Sequence, residues 1–148
     1  MSEDLERETL LDHARRPRNH GALASATHEG FCENPSCGDQ VRVSANISNG
    51  RIFDLRVHAQ GCAIAVASAS LMSEELKGLT VAEANARAQE FEATLKEEGE
   101  AAWPISLTRL QPFRFLRRGH LKLRCALIAW SAWTRATSNI DGGNPCAH

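Results

Sequence analysis

Apolar and polar positions divide the chain into regular segments punctuated by glycine and proline. Over residues 3–14, leucines at 5, 10 and 11 follow acids in the first turns, and Arg15 and Arg16 come after. That order predicts an amphipathic helix whose charges complement its dipole, stopped by Pro17. Pro17-Arg18-Asn19-His20-Gly21 then reads as a basic loop, with His13 and His20 as capping or surface groups rather than ligands. Residues 22–27 are expected to form a short edge strand. Val41, Val43, Ala45 and Ile47 alternate with polar residues, as do Phe53, Leu55, Val57 and Ala59 beyond Asn49-Gly50. Alternation on both sides of an Asn-Gly turn predicts an antiparallel hairpin with one solvated face and one that needs helices against it.

The small side chains of residues 63–70 suit a helix packed closely on that sheet, ending near Lys77-Gly78. Thr80-Val81-Ala82-Glu83 is a capping box opening another helix, with Val81, Ala84, Ala88, Phe91 and Leu95 toward the core and Glu90, Glu97 and Glu98 outside. Leu107, Leu110, Phe113 and Leu116 fit a short helix interrupted by Pro112. A final helix is expected from about Arg124 to Ala136, with Leu127, Trp130 and Trp133 as core contacts. Residues 141–148 hold turn formers and no apolar face, the pattern of a disordered tail in which Cys146 and His148 are not ligands.

Composition narrows the class. A chain of 148 residues can bury a core without a disulfide framework, and residues 1–140 read as one domain. The net charge of −1 gives no general case for nucleic acid or a membrane surface as a partner. No apolar run approaches a spanning length and the start is acidic, so the cytoplasm is the expected location. From 101 to 140 there is no acid, yet Arg109, Arg114, Arg117, Arg118, Lys122, Arg124 and Arg135 are present. This is either a solvated face balancing acids elsewhere or a docking face for an acidic protein. A single-strand nucleic-acid binder would interleave aromatics, which make up only 5% of the chain and mostly hold core positions.

The candidate chemistry lies in the cysteines. Five of them, with no Cys-x-x-Cys pair, argue against a secreted disulfide scaffold and for reduced thiols used in chemistry, metal binding or packing. Any metal site must therefore join cysteines distant in sequence. Asn34-Pro35-Ser36-Cys37-Gly38-Asp39 places a thiol and a carboxylate two positions apart on a tight turn, with Gly38 free to take a left-handed backbone between them. It reads either as half of a metal site or as a loop with a buried cysteine and a turn aspartate. Cys62 falls at a helix start, where free N–H groups favour a thiolate, although a buried structural cysteine would look the same. Cys125 opens the final helix. Together with Asp39 these three cysteines make a donor set that zinc takes tetrahedrally and that an iron–sulfur cluster also accepts, Asp39 being the harder and more labile ligand.

These segments carry a resemblance. Leu11-Asp12-His13 with Arg16-Pro17-Arg18-Asn19 and Gly21, Asn34 through Asp39, Gly61-Cys62-Ala63-Ile64 with Ala67-Ser68-Ala69-Ser70, and Arg124-Cys125-Ala126-Leu127 with Ala129-Trp130 occur in the order found in IscU-like iron–sulfur cluster assembly proteins. The chain resembles the SufU branch of that family, also known from the NifU N-terminal domain. Arg124 stands where the scaffold branch has a histidine, there is no Leu-Pro-Pro-Val-Lys motif, and the segment between Cys62 and Cys125 is longer. The resemblance implies an α+β fold, a small antiparallel sheet of about three strands with helices on one face. It also implies a metal site of Cys37, Asp39, Cys62 and Cys125, with zinc as cofactor or, alternatively, a [2Fe-2S] cluster held as on a scaffold. The implied activity is zinc-dependent sulfur transfer from a SufS-like cysteine desulfurase to the downstream SUF machinery. Cys37 is the expected sulfur acceptor and Arg124 a residue offsetting the site's negative charge or docking the partner. Ala65, where a serine is frequent, and Gly119-His120, where an aromatic-proline pair is frequent, depart from the family pattern, as do Cys32 and Cys146.

Overall fold

The computed structural model describes residues 2–97, 102–117 and 119–138. In chain order the elements are α1 (Glu3–Arg15), β1 (His28–Asn34), β2 (Asp39–Ser48), β3 (Arg51–Gln60), α2 (Ala63–Leu76), α3 (Val81–Lys96), a 3₁₀ segment (Ile105–Leu116) and α4 (Leu123–Thr137). The fold is α+β, with one antiparallel sheet in the order β1-β2-β3. α4 packs across β1 and β2, α2 packs on β3, and α1 lies against α2.

The β2–β3 hairpin turns at Asn49 and Gly50, both at positive φ, as the Asn-Gly signal requires. Val41, Val43 and Ala45 are fully buried as expected. The alternation then breaks. A register shift between Asn46 and Ile47 pairs Ile47 with Ile52 and turns Ile52 inward, so Phe53, expected in the core, is 63% exposed.

The edge strand also differs from expectation. Residues 22–27 form turns, and the strand is His28–Asn34, paired with β2 from His28↔Ala45 to Asn34↔Asp39. Its sequence, with two acids and a glycine, lacks the apolar alternation that marks a strand. Tertiary packing chooses it instead: a Cβ at Gly30 would lie 2.1 Å from the Ala132 carbonyl oxygen and 2.6 Å from the Ala136 nitrogen, so the bare glycine is what lets α4 lie on β1.

In α1 only Leu10 of the three leucines is buried. Its inward face is completed by Glu6, held by Arg114, and by His13, which is buried against α2 rather than on the surface. The His13 Nδ1 lies 2.7 Å from Ser70 Oγ, which also accepts the Arg18 N–H at 2.8 Å. The motif of Asp12, His13, Arg18 and Asn19 is therefore a clasp: Asp12 pairs with Arg16 and Arg18, and Asn19 donates to Ser73 Oγ.

Thr80 and Glu83 complete the capping box of α3, whose Ala84, Ala88, Phe91 and Leu95 are buried. Leu107, Leu110, Phe113 and Leu116 are fully buried from a 3₁₀ segment that continues through Pro112 and kinks at Leu107. Trp133, Phe91 and Phe113 are the largest fully buried side chains, each contributing about 1.5–3 kcal/mol by leaving water. Among the described residues no helix is long and apolar enough to cross a membrane. The expectations for the tail at 141–148, with Cys146 and His148, and for Glu98 and Arg118 fall outside the described residues.

Candidate metal centre

Three chain breaks in regular structure meet at one end of the sheet. The first is the β1–β2 turn, where the Asn34 carbonyl accepts the N–H groups of Cys37 at 3.1 Å and Gly38 at 2.9 Å. Gly38 takes φ 73°, the left-handed geometry expected of it. This turn leaves Cys37 exposed while Asp39, the first residue of β2, is fully buried. The second is the passage from β3 into α2, with Cys62 at the N-cap in extended geometry. The third is the start of α4, whose first turn carries the fully buried Cys125.

The ligand atoms of Cys37, Asp39 and Cys125 all lie within 4.8 Å of one another. Cys62 stands at the edge of this group, its Sγ 3.9 Å from Asp39 Oδ2. Its backbone N–H donates to Asp39 Oδ1 at 2.9 Å. The carboxylate is therefore divided: one oxygen closes the N-terminus of α2 and the other faces the thiols. Tetrahedral zinc at about 2.3 Å from sulfur would hold its donors about 3.8 Å apart, a spacing that Cys37, Asp39 and Cys125 come near, while Cys62 falls outside that group of three.

Charge supports the same reading. Burial first, and then hydrogen bonds with Asp39, Cys62 and Cys37, push the Cys125 thiol far above its ordinary range. A buried thiol beside a carboxylate and two further thiols resists ionisation until a cation arrives, and a divalent ion reverses that preference. The donors fit zinc or iron–sulfur ligation better than magnesium or calcium, which seek oxygen.

The helices behind the site are locked together. Ser68 of α2 donates to the Ala126 carbonyl of α4 at 2.5 Å, and the indole N–H of Trp130 donates to Ser68 Oγ at 3.2 Å. Ala126 follows Cys125, so this buried hydroxyl ties α2 to the first turn of α4 beside the site. In the sequence Ser68 and Gly61 stand out only as members of the motifs around Cys62; the structure gives Ser68 its bond to α4, and Gly61 its φ of +132° and its contact with Asp39.

Arg124 is exposed on the first turn of α4, beside Cys125 in sequence. Other members of the basic segment are engaged within the molecule. Arg114 pairs with Glu6 at 2.7 Å, Arg109 lies 3.6 Å from Glu75, and Arg117 lies 3.9 Å from Glu97 and over the Trp103 ring. Cys32 is fully buried on β1, whereas Cys37, Cys62 and Cys125 are free.

Residues 5–146 match the family described as NifU-like N terminal domain. The chain belongs to this family. It is 27% identical over 140 residues to the zinc-dependent sulfurtransferase SufU of Bacillus subtilis, covering 95% of this chain and 94% of that protein. It is 29% identical over 134 residues to the iron–sulfur cluster assembly scaffold protein IscU of Thermotoga maritima, covering 90% and 93%. A solved structure from Fervidobacterium islandicum AW-1, described as an iron–sulfur cluster assembly scaffold protein for the SUF system, superposes with a TM-score of 0.72 at 25% identity, covering 87% of this chain and 93% of that one. Similar identities to a transferase and to a scaffold leave the fine division within the family to the chemistry of the site.

Proposed function

We propose that this protein is a zinc-dependent sulfur carrier, which accepts persulfide sulfur from a SufS-like cysteine desulfurase in the cytoplasm and passes it toward SUF iron–sulfur cluster assembly. Cys37, Asp39, Cys62 and Cys125 would hold the zinc. The observation that carries the reading is the asymmetry of the thiols: Cys37 is exposed on a glycine-flanked turn, while Cys125 is fully buried against the same carboxylate. One thiol can reach a partner enzyme and the other can only anchor.

Bound zinc supplies the positive charge that keeps the thiols ionised at neutral pH while masking their reactivity. The transfer itself needs only exchange chemistry. The Cys37 thiolate attacks the outer sulfur of the desulfurase's cysteine persulfide; the sulfur–sulfur bond to that cysteine breaks and its electron pair leaves as the desulfurase thiolate. Cys37 now carries the persulfide, and no external oxidant or reductant is consumed. Asp39 and Cys125, buried behind the turn, stay in place during this movement.

The second reading is a scaffold on which the same residues hold a [2Fe-2S] cluster as cargo, and the identity to the Thermotoga maritima scaffold protein favours weighing it. Sulfur uptake from a persulfide-loaded desulfurase separates acceptor from bystander. Cys37→Ser should abolish labelling of this protein by radioactive sulfur. Labelling at the wild-type rate in Cys37→Ser, lost instead in Cys125→Ser, would move the acceptor to Cys125.

A further inference from the structure

The sharpest steric constraint at the site is at Gly61, which is no ligand. A Cβ built on this residue would lie 2.2 Å from Asp39 Oδ1 and 2.8 Å from Asp39 Cα, and its φ of +132° is itself unfavourable for a side chain. Rotating the aspartate could relieve the first contact but not the second, which is to backbone. The space where a side chain would stand is thus filled by the carboxylate of Asp39, whose Oδ1 accepts the N–H of the next residue, Cys62, at 2.9 Å. Asp39 is fully buried, and Oδ2 faces the Cys62 sulfur at 3.9 Å.

We infer that Gly61 is a positioning residue acting through Asp39: the missing side chain lets Oδ1 clamp onto the Cys62 N–H, which fixes Oδ2 as a single, aimed ligand oxygen. Asp39, expected from its oxygen chemistry to be the labile ligand, is the corner tied to β2, to Gly61 and to the start of α2. Cys37, with a sulfur donor but an exposed turn behind it, is the corner that leaves. Lability here is set by what the ligand's other atoms are bonded to, as with groups that orient metal ligands generally.

The inference rests on the proposed ligand set, and its test includes a metal-free arm so that the two can fail separately. In metal-free protein, exchange of the Cys62 amide hydrogen should be slow in wild type and in Asp39→Asn, whose side-chain oxygen can still accept, and faster in Asp39→Ala and Gly61→Ala. In the second arm, zinc affinity is measured by competition with a chromophoric chelator. Gly61→Ala should weaken it by about 10- to 100-fold, the usual effect of losing a group that orients a ligand. In an Asp39→Ala background the same glycine substitution should cost less affinity than in wild type, because the carboxylate contact is gone and only the backbone contact at position 39 and the strain at Gly61 remain. Cobalt substituted for zinc should show the same altered visible spectrum in Gly61→Ala and Asp39→Ala.

Fast Cys62 exchange in wild type, or exchange unchanged by Asp39→Ala, would overturn the clamp, even if Gly61→Ala does not fold. A Gly61→Ala penalty retained in full without the aspartate would make Gly61 merely structural. Absence of zinc binding in wild type with Cys62 protection intact would overturn the proposed metal and leave the clamp standing.

Discussion

Cys37 and Cys125 share a carboxylate neighbour and differ in burial, and the proposed division of their work rests on that difference. For Cys125, replacing sulfur by oxygen keeps the shape but gives zinc a poor ligand; Cys125→Ser should lower zinc affinity, read by chelator competition, while the persulfide step at Cys37 is affected only through that loss. His13 is a residue of a different kind. Burial first, and then the nearby Arg18, lower its pKa below the ordinary 6.5, against the opposing pull of Glu74 and Asp12 and with a smaller push from Arg109. The folded state therefore holds the neutral ring, and the unfolded chain takes up the proton first. This contribution to stability is complete above pH 6.5 and is lost as pH falls from there through the lowered folded value. Urea unfolding midpoints should fall more steeply below pH 6.5 in wild type than in His13→Gln; equal slopes would show that His13 is not the group responsible.

Two helices carry fixed thiols, and their mutual position depends on contacts between elements. Ser68→Ala removes the donor to the Ala126 carbonyl and leaves the buried indole N–H of Trp130 without its acceptor. A loss of about 1–3 kcal/mol is expected in denaturant unfolding, accompanied by weaker metal binding because Cys62 and Cys125 lose their common reference. Gly30→Ala should destabilise by about 1–3 kcal/mol or more, since its Cβ would meet helix backbone rather than a movable side chain. Normal stability in that variant would show that α4 can lift from β1 at little cost. These two residues also mark where sequence legibility ends. The hairpin, the capping box of α3, the helix starts at Cys62 and Cys125 and the Cys37 turn follow from local rules and were readable. β1 was not, because its strand is selected by the approach of α4 over Gly30 and not by its own alternation. Phe53 was misplaced because a bulge reverses faces, and bulges leave no mark in a binary pattern. Of the candidate site, the motifs name Cys37, Asp39 and Cys125, which the structure brings together, whereas the contact of Gly61 with Asp39 required knowing which residues meet.

For the whole molecule, the basic segment becomes smaller as a docking face once the fold is known, because Arg109, Arg114 and Arg117 are paired with Glu75, Glu6 and Glu97. These pairs fasten the 3₁₀ segment to α1, α2 and the end of α3. Exposed Arg124 remains beside the site, so raising salt should slow association with a desulfurase modestly, and Arg124→Ala should flatten that dependence. A salt dependence unchanged by Arg124→Ala would place the docking charge elsewhere. What the assembled end of the sheet holds separates a sulfur carrier from a scaffold. Metal and sulfide analysis of protein purified without oxygen, carried into an assay of cysteine desulfurase stimulation, tests it most directly. The sulfur-carrier account predicts colourless protein with about one zinc per chain, no acid-labile sulfide, and stimulation lost in Cys37→Ser. Brown protein with iron and sulfide and no stimulation would contradict it and establish the scaffold.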